Sequence, residues 1–393
     1  MALGRDFGWL WAAYGVSAFG TRLAFDALTI LAVLVLHADP AQVSLISAVG
    51  LAVGAVAALP LGPWVEFRHK RPVMVGMDLL RCATVLSVPA AHLAGVLTLG
   101  QLFVVSAVVA AADIAFLAAS GAHLKALVPR NQLLVANGRF EATQWTATSL
   151  GPPLGGWAVT AFGPVTAILA DAVSYLLSAL GIRAIRAPEP VPAPSTERLR
   201  ARDVLDGWRY ILGHARLRPL FVNTVAVNAL IMAPAPVIAV LMLRDLGFPP
   251  WQYGLAFALP CLGGLLGARL APRAVARFGE RRVLRVVGTV RVCWPVGLAF
   301  ITPGPPGLLL VLALQTGLVT CMGVFNPVFA TRRLTELPQD RIARTLVAWS
   351  VAQKLTTAAL TALWGVLAAA AGPREAILAA GVLLLGCALV RPA

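Results

Sequence analysis

Gly151-Pro152-Pro153-Leu154-Gly155-Gly156 stands inside an apolar run, from Arg139 to Ala161, that is long enough to cross a bilayer. Two consecutive prolines remove backbone donors and press their rings against the preceding turn, so a helix through them must bend. The glycines beside them carry no side chain and let a neighbouring helix approach closely. A membrane helix with both features reads as a moving part rather than an anchor.

The rest of the chain supports a membrane reading. Of 393 residues, 59% are hydrophobic and only 12% charged, with a mean hydropathy of +0.81. Soluble domains run nearer a quarter charged, so this composition excludes an ordinary soluble enzyme. A spanning helix needs about 20 apolar residues, and twelve stretches meet that length. They are 7–36, 41–65, 72–93, 99–119, 139–161 and 163–182, then 219–243, 251–270, 282–301, 307–325, 344–370 and 374–390. The expected fold is an all-α integral membrane protein of twelve transmembrane helices.

Between the sixth and seventh spans lies Ala187-Pro188-Glu189-Pro190-Val191-Pro192-Ala193-Pro194-Ser195, which cannot hold a helix and reads as a linker. Leu205, Trp208 and Leu212 follow on one face of an amphipathic helix. That helix lies on the inner membrane surface or packs under the bundle, and the pattern alone leaves both open. The break divides the chain into residues 1–186, a cytoplasmic linker 187–218, and residues 219–393. Phe67 precedes the basic pair Lys70-Arg71 by three residues, as Phe278 precedes Arg281-Arg282. This weak repeat gives two six-helix pseudo-symmetric halves, an arrangement that places a binding site at mid-membrane between repeats.

The net charge of +15 does not indicate nucleic acid. Basic residues collect in alternate loops, around Arg68 to Arg71, Lys125 to Arg139, Arg183 to Arg218, Arg269 to Arg285, and Arg332 to Arg344. This positive-inside pattern puts both termini in the cytoplasm, with the chain in the inner (plasma) membrane. The arginines then face membrane lipids and the chain's own acids. Five dispersed cysteines and five dispersed histidines give neither a disulfide framework nor a metal site. No glycine precedes any of the three lysines as a phosphate loop requires, and there is no H-E-x-x-H or G-x-S-x-G. ATP hydrolysis and membrane-hydrolase chemistry are therefore unsupported, and neither an enzyme nor a cofactor is expected.

Charges within the spans are the first candidates for function, because each costs about 2.5–3.5 kcal/mol to insert. Arg22 and Asp26, four apart in the first span, fall on one helical face. They form either a static pair or a proton-accepting carboxylate with its modulator. Asp113 in the fourth span is the second candidate. Glu141, Gln144 and Trp145 in the fifth present a surface for a cationic or aromatic molecule, although Glu141 equally suits a helix-end position facing Arg139. Asp78 and Arg81 are read with the nearby basic loop. Asp171, Arg291 and Lys354 are weaker candidates.

Gly62-Pro63-Trp64-Val65-Glu66-Phe67-Arg68-His69-Lys70-Arg71 resembles the loop between helices two and three of the major facilitator superfamily. The resemblance rests on Gly62, Glu66, Arg68, Lys70 and Arg71, and implies a cytoplasmic latch completed by Asp78 and Arg81. Glu66 replaces the more usual aspartate. Ala147 with Gly151-Pro152-Pro153-Leu154-Gly155-Gly156 is similar to the fifth-helix signature of that superfamily's antiporters, on Gly151, Pro152, Gly155 and Gly156. Further similarity, to the branch of macrolide-efflux proteins and enterobactin-type exporters, rests on 127–138, 206–211 and 337–344. The resemblance implies a monomeric, proton-coupled exporter of an amphipathic drug-like or secondary-metabolite molecule. Many such antiporters carry a buried arginine in the fourth helix, and this chain has none there. A metabolite-importing permease and a non-transporting scaffold or sensor are the alternatives.

Overall fold

The computed structural model describes residues 4–24, 27–129, 132–189, 201–215, 217–335 and 342–389. Among them there is no strand. Ten helical segments are long and apolar enough to cross a membrane. Two more helices coincide with the fifth and twelfth expected spans, α6 (Leu133–Phe162) and the 17-residue α16 (Pro373–Leu389).

The chain forms two compact units, one of Met1–Leu36 with Val49–Leu199, the other of His37–Ala48 with Arg200–Ala393. The first contains α1 (Arg5–Leu23), α2 (Ala27–Leu34), most of α3 (Pro40–Glu66), α4 (Lys70–Leu93), α5 (Leu99–Leu127), α6 and α7 (Pro164–Arg183). Here α4 packs between α5 and α7, and α1 lies against α6 and α7. Small residues permit the closest of these approaches. A Cβ built on Gly20 of α1 would strike the Ser174 side chain of α7, and one on Gly181 of α7 would come within 3.2 Å of Ala13.

The second unit contains α8 (Ala201–Gly213), α9 (Leu217–Met232), α10 (Ala235–Val240), α11 (Pro250–Ala258), α12 (Pro260–Phe278), α13 (Glu280–Cys293), α14 (Pro305–Thr335), α15 (Ile342–Ala371) and α16. Several spans expected to be continuous are segmented. Pro234 and Pro236 separate α9 from α10, Pro260 opens α12, and Pro295 ends α13 and starts a 3-10 turn, Pro295–Phe300. Each proline withholds a donor from the carbonyl one turn back. By contrast, α6 runs as one helix through Pro152 and Pro153. Of the two placements open for the amphipathic segment, α8 takes the packed one. It lies against α9 and α15, and Trp208 Nε1 donates to the Ala348 carbonyl at 2.8 Å.

The units are apolar on the outside and bury a few polar groups within a largely apolar interior. Val104, Leu177, Leu266 and Val366 are each at least half exposed, while Asp78, Arg81, Asp171, Ser178 and Arg291 are buried. Lipid tails solvate the outer side chains as well as a protein core would, so packing and internal hydrogen bonds must hold the helices together.

Candidate functional site

The first unit's polar interior is organised around Arg81 of α4. Arg81 is 3% exposed and its guanidinium is gripped from two sides, by Asp78 three residues earlier on the same helix and by Asp113 of α5. The rings of Phe116 and Tyr175 stand 4.4 and 4.3 Å from the guanidinium carbon. Aromatic faces favour a desolvated cation, and charge-assisted bonds to two carboxylates offset the loss of water. The two acids differ in access. Asp78 is fully buried, whereas the Asp113 side chain is 36% exposed. Asp78 Oδ2 and Arg81 Nε retain no hydrogen-bond partner among the described residues.

Tyr175 extends this cluster to α1. Its hydroxyl lies 3.0 Å from Thr21 Oγ1, which also donates to Asp171 Oδ1 at 3.2 Å. The contact requires α1 and α7 to be close, which Gly20 beside Ser174 allows. A line of polar groups therefore runs from the exposed Asp113 through Arg81 and Tyr175 to the buried Asp171. The Arg81 guanidinium meets Tyr175 through the ring face, so the carboxylates on Arg81 and the Thr21–Tyr175–Asp171 group are neighbours joined by a cation–ring contact.

Arg22 lies nearby, close enough to Asp113 to act on it electrostatically. In the amide orientation that satisfies both neighbours, Gln144 accepts from Arg22 Nη2 at 2.8 Å and Nε at 3.2 Å, and donates to the Tyr14 hydroxyl at 3.0 Å. Tyr14 also packs on Phe140, centroids 4.4 Å apart. Arg22 is thus tied to α6 by a neutral amide. Asp26, its expected partner, lies outside the described residues, as do the side chains of Glu141 and Trp145.

The glycine–proline signature sits at the same junction. A Cβ on Gly151 would come within 2.5 Å of Arg22 Cβ and 2.6 Å of its carbonyl carbon. A Cβ on Gly155 would collide with the Leu23 carbonyl oxygen. The backbone of α6 therefore rests directly on the last residues of α1. Pro152 and Gly156 are buried beside them.

At the other end of α4, the basic loop is held by an acid from elsewhere. The Glu189 carboxylate accepts from the backbone N–H of Lys70 and of Arg71 at 3.3 Å, and lies 3.9 Å from His69 Nδ1. A carboxylate suits the donor-rich start of a helix. Arg71 donates to the Ile185 carbonyl, Lys70 Nζ donates to the Val65 and Arg68 carbonyls at 3.0 and 2.5 Å, and Arg68 lies over Trp64 at 5.0 Å. The side chains of Gly62, Pro63 and Glu66 lie outside the described residues. Arg81 pairs with Asp78 and with Asp113 instead of with this loop.

Sequence reasoning passed over Thr21, Tyr175 and Glu189 and ranked Asp171 low. The signal for Tyr175 was Asp171 one turn before it, two polar groups on one face of an apolar span.

The sequence profile of the Major Facilitator Superfamily matches residues 10–355. The multidrug efflux pump Tap of Mycolicibacterium fortuitum is 29% identical over 343 residues, which cover 82% of this chain and 76% of that protein. Among solved structures, the nucleoside transporter NupG superposes with a TM-score of 0.71 at 13% identity, covering 97% of this chain and 98% of the other. A bacterial homologue of the iron transporter ferroportin does so with a TM-score of 0.72 at 16% identity, covering 99% and 100%. At these identities the two structures show a shared fold.

Proposed function

Because the chain belongs to the Major Facilitator Superfamily, and is thus a multi-pass membrane transporter of small molecules, we propose that it is a proton-coupled exporter of amphipathic, drug-like or secondary-metabolite compounds, working by alternating access. Export is supported by the efflux-pump relative and by the α6 signature, whose Gly151 and Gly155 rest against α1. We take the chain to cross the inner (plasma) membrane twelve times with both termini in the cytoplasm, on the strength of its loop arginines.

The observation that carries proton coupling is the unequal pair of acids on Arg81. The Asp113 side chain is partly exposed at the surface of its unit and that of Asp78 is enclosed. A proton arriving on Asp113 would weaken its hold on the guanidinium, leaving Arg81 to Asp78 and Tyr175. Loss of that proton restores the interhelical bond between α4 and α5. The protonation state thereby biases how these helices pack, which is the link that coupling requires.

Everted membrane vesicles test the reading. An imposed gradient, acid inside, should drive uptake of a fluorescent cationic dye, and dissipating the gradient should stop it. Failure to drive uptake of any dye or antibiotic in a broad panel would remove the exporter reading.

A further inference from the structure

The second unit buries an arginine that no acid among the described residues answers. Arg291 lies in the last turn of α13 and is 1% exposed. Counting from Glu280 at about 1.5 Å per residue, it sits roughly 16 Å along the helix, near the middle of a core about 30 Å thick. Its guanidinium carbon is 3.7 Å from the centroid of the Phe325 ring of α14. The aromatic face and the carbonyl end of α13 make a cation tolerable there. They leave the N–H groups unanswered. Among the described residues Arg291 has no carboxylate partner, and its Nε and Nη1 are sealed from solvent without an acceptor. Arg81 in the first unit, by contrast, is held between two carboxylates.

A third N–H adjoins it. Trp294 Nε1 is also buried, with only the Cys321 sulfur, a weak acceptor, beside it. Its indole ring lies on Gly317 of α14, where a Cβ would come within 2.6 Å of the ring. Cys321 stands beside both Arg291 and Trp294. Gly317, Cys321 and Phe325 recur every four residues, so they share one face of α14. That face meets the stretch of α13 where Pro295 stops the helix. The seam therefore gathers two unanswered guanidinium N–H groups, an indole N–H beside only a weak sulfur acceptor, and a net positive charge without a carboxylate among the described residues, inside a low-dielectric surrounding where an unpaired polar group is costly.

We propose that this α13–α14 seam is a binding site for a monoanion, a carboxylate or a halide, with Arg291 as the charge partner and Trp294 as the second donor. Assigning the carboxylate to the transported molecule rests on the exporter reading; binding of the anion does not.

The full chain, purified in detergent in sulfate buffer, is titrated separately with sodium benzoate and with sodium chloride, reading thermal unfolding and tryptophan fluorescence. Saturable stabilisation of the wild type is expected, with affinity reduced by about tenfold or more in Arg291→Met and the fluorescence response lost in Trp294→Phe. Saturation by benzoate alone identifies a carboxylate of the cargo, whereas saturation by chloride identifies a resident halide. Should Arg291→Met not fold, Arg291→Lys and direct binding of radiolabelled benzoate and chloride to the wild type replace it. Absence of saturable binding of both anions to the wild type, or undiminished binding in the Arg291 variants, overturns the proposal. Dye uptake by everted vesicles does not depend on anion binding at this seam, so the two readings can fail separately.

Discussion

Arg81 and Asp113 join two neighbouring helices of the first unit through a charge-assisted contact between a buried guanidinium and a carboxylate whose side chain is partly exposed. The guanidinium also holds a second carboxylate, Asp78.

Asp113→Asn keeps the shape of the side chain and removes its charge. Proton-driven dye uptake should fall to the level of uncoupled vesicles while the purified variant retains its elution profile. Asp26→Asn provides the comparison: if it abolishes coupling and Asp113→Asn does not, the proton site lies in the first span.

Arg81→Met leaves Asp78 buried without a cation. Removing one member of a buried pair costs about 3–5 kcal/mol, so a marked fall in unfolding temperature is expected. The double variant with Asp78→Asn should recover much of that loss. A double variant as unstable as the single one would mean that Arg81 acts through its packing on Phe116 and Tyr175.

Gly155→Ala pushes a methyl group into the Leu23 carbonyl, an overpacking clash worth about 1–3 kcal/mol. Stability and transport should both drop. Gly121→Ala in α5, where a Cβ meets nothing within 4 Å, should leave both unchanged. Unfolding temperature and dye uptake of the pair decide the matter.

Glu189→Gln weakens the acceptor for the first N–H groups of α4. A loss of about 1–2 kcal/mol, as for removal of a helix cap, is expected, with faster hydrogen exchange at the amides of Lys70 and Arg71. Exchange no faster than in the wild type would show that Glu189 does not hold that terminus.

The helices were legible because hydropathy is a local property, and so was the singling out of Asp113, a charge set in an apolar run. The partner of Asp113 was not. Arg81 follows the basic loop closely in sequence, which invited grouping it with Arg71. Yet ten residues of helix is about 15 Å, enough to carry Arg81 from the loop into the interior, and only the packing of α4 on α5 and α7 says what it meets there. Glu189 was hidden for the same reason: an acid between two prolines looks like linker until the chain is seen to return to the start of α4. Prolines were visible but their outcome was not. The pair in α6 is accommodated within one helix, whereas Pro260 and Pro295 open new segments, because neighbouring groups decide whether the freed carbonyls are satisfied.

The seat of Gly151 and Gly155 on Arg22 and Leu23 also sets a mechanical limit. Contact between two backbones has no rotamers with which to absorb a displacement, and packed protein yields little to strain. A side chain larger than hydrogen at either position would force the end of α1 and the middle of α6 apart, so the closeness of these two helices depends on the two glycines.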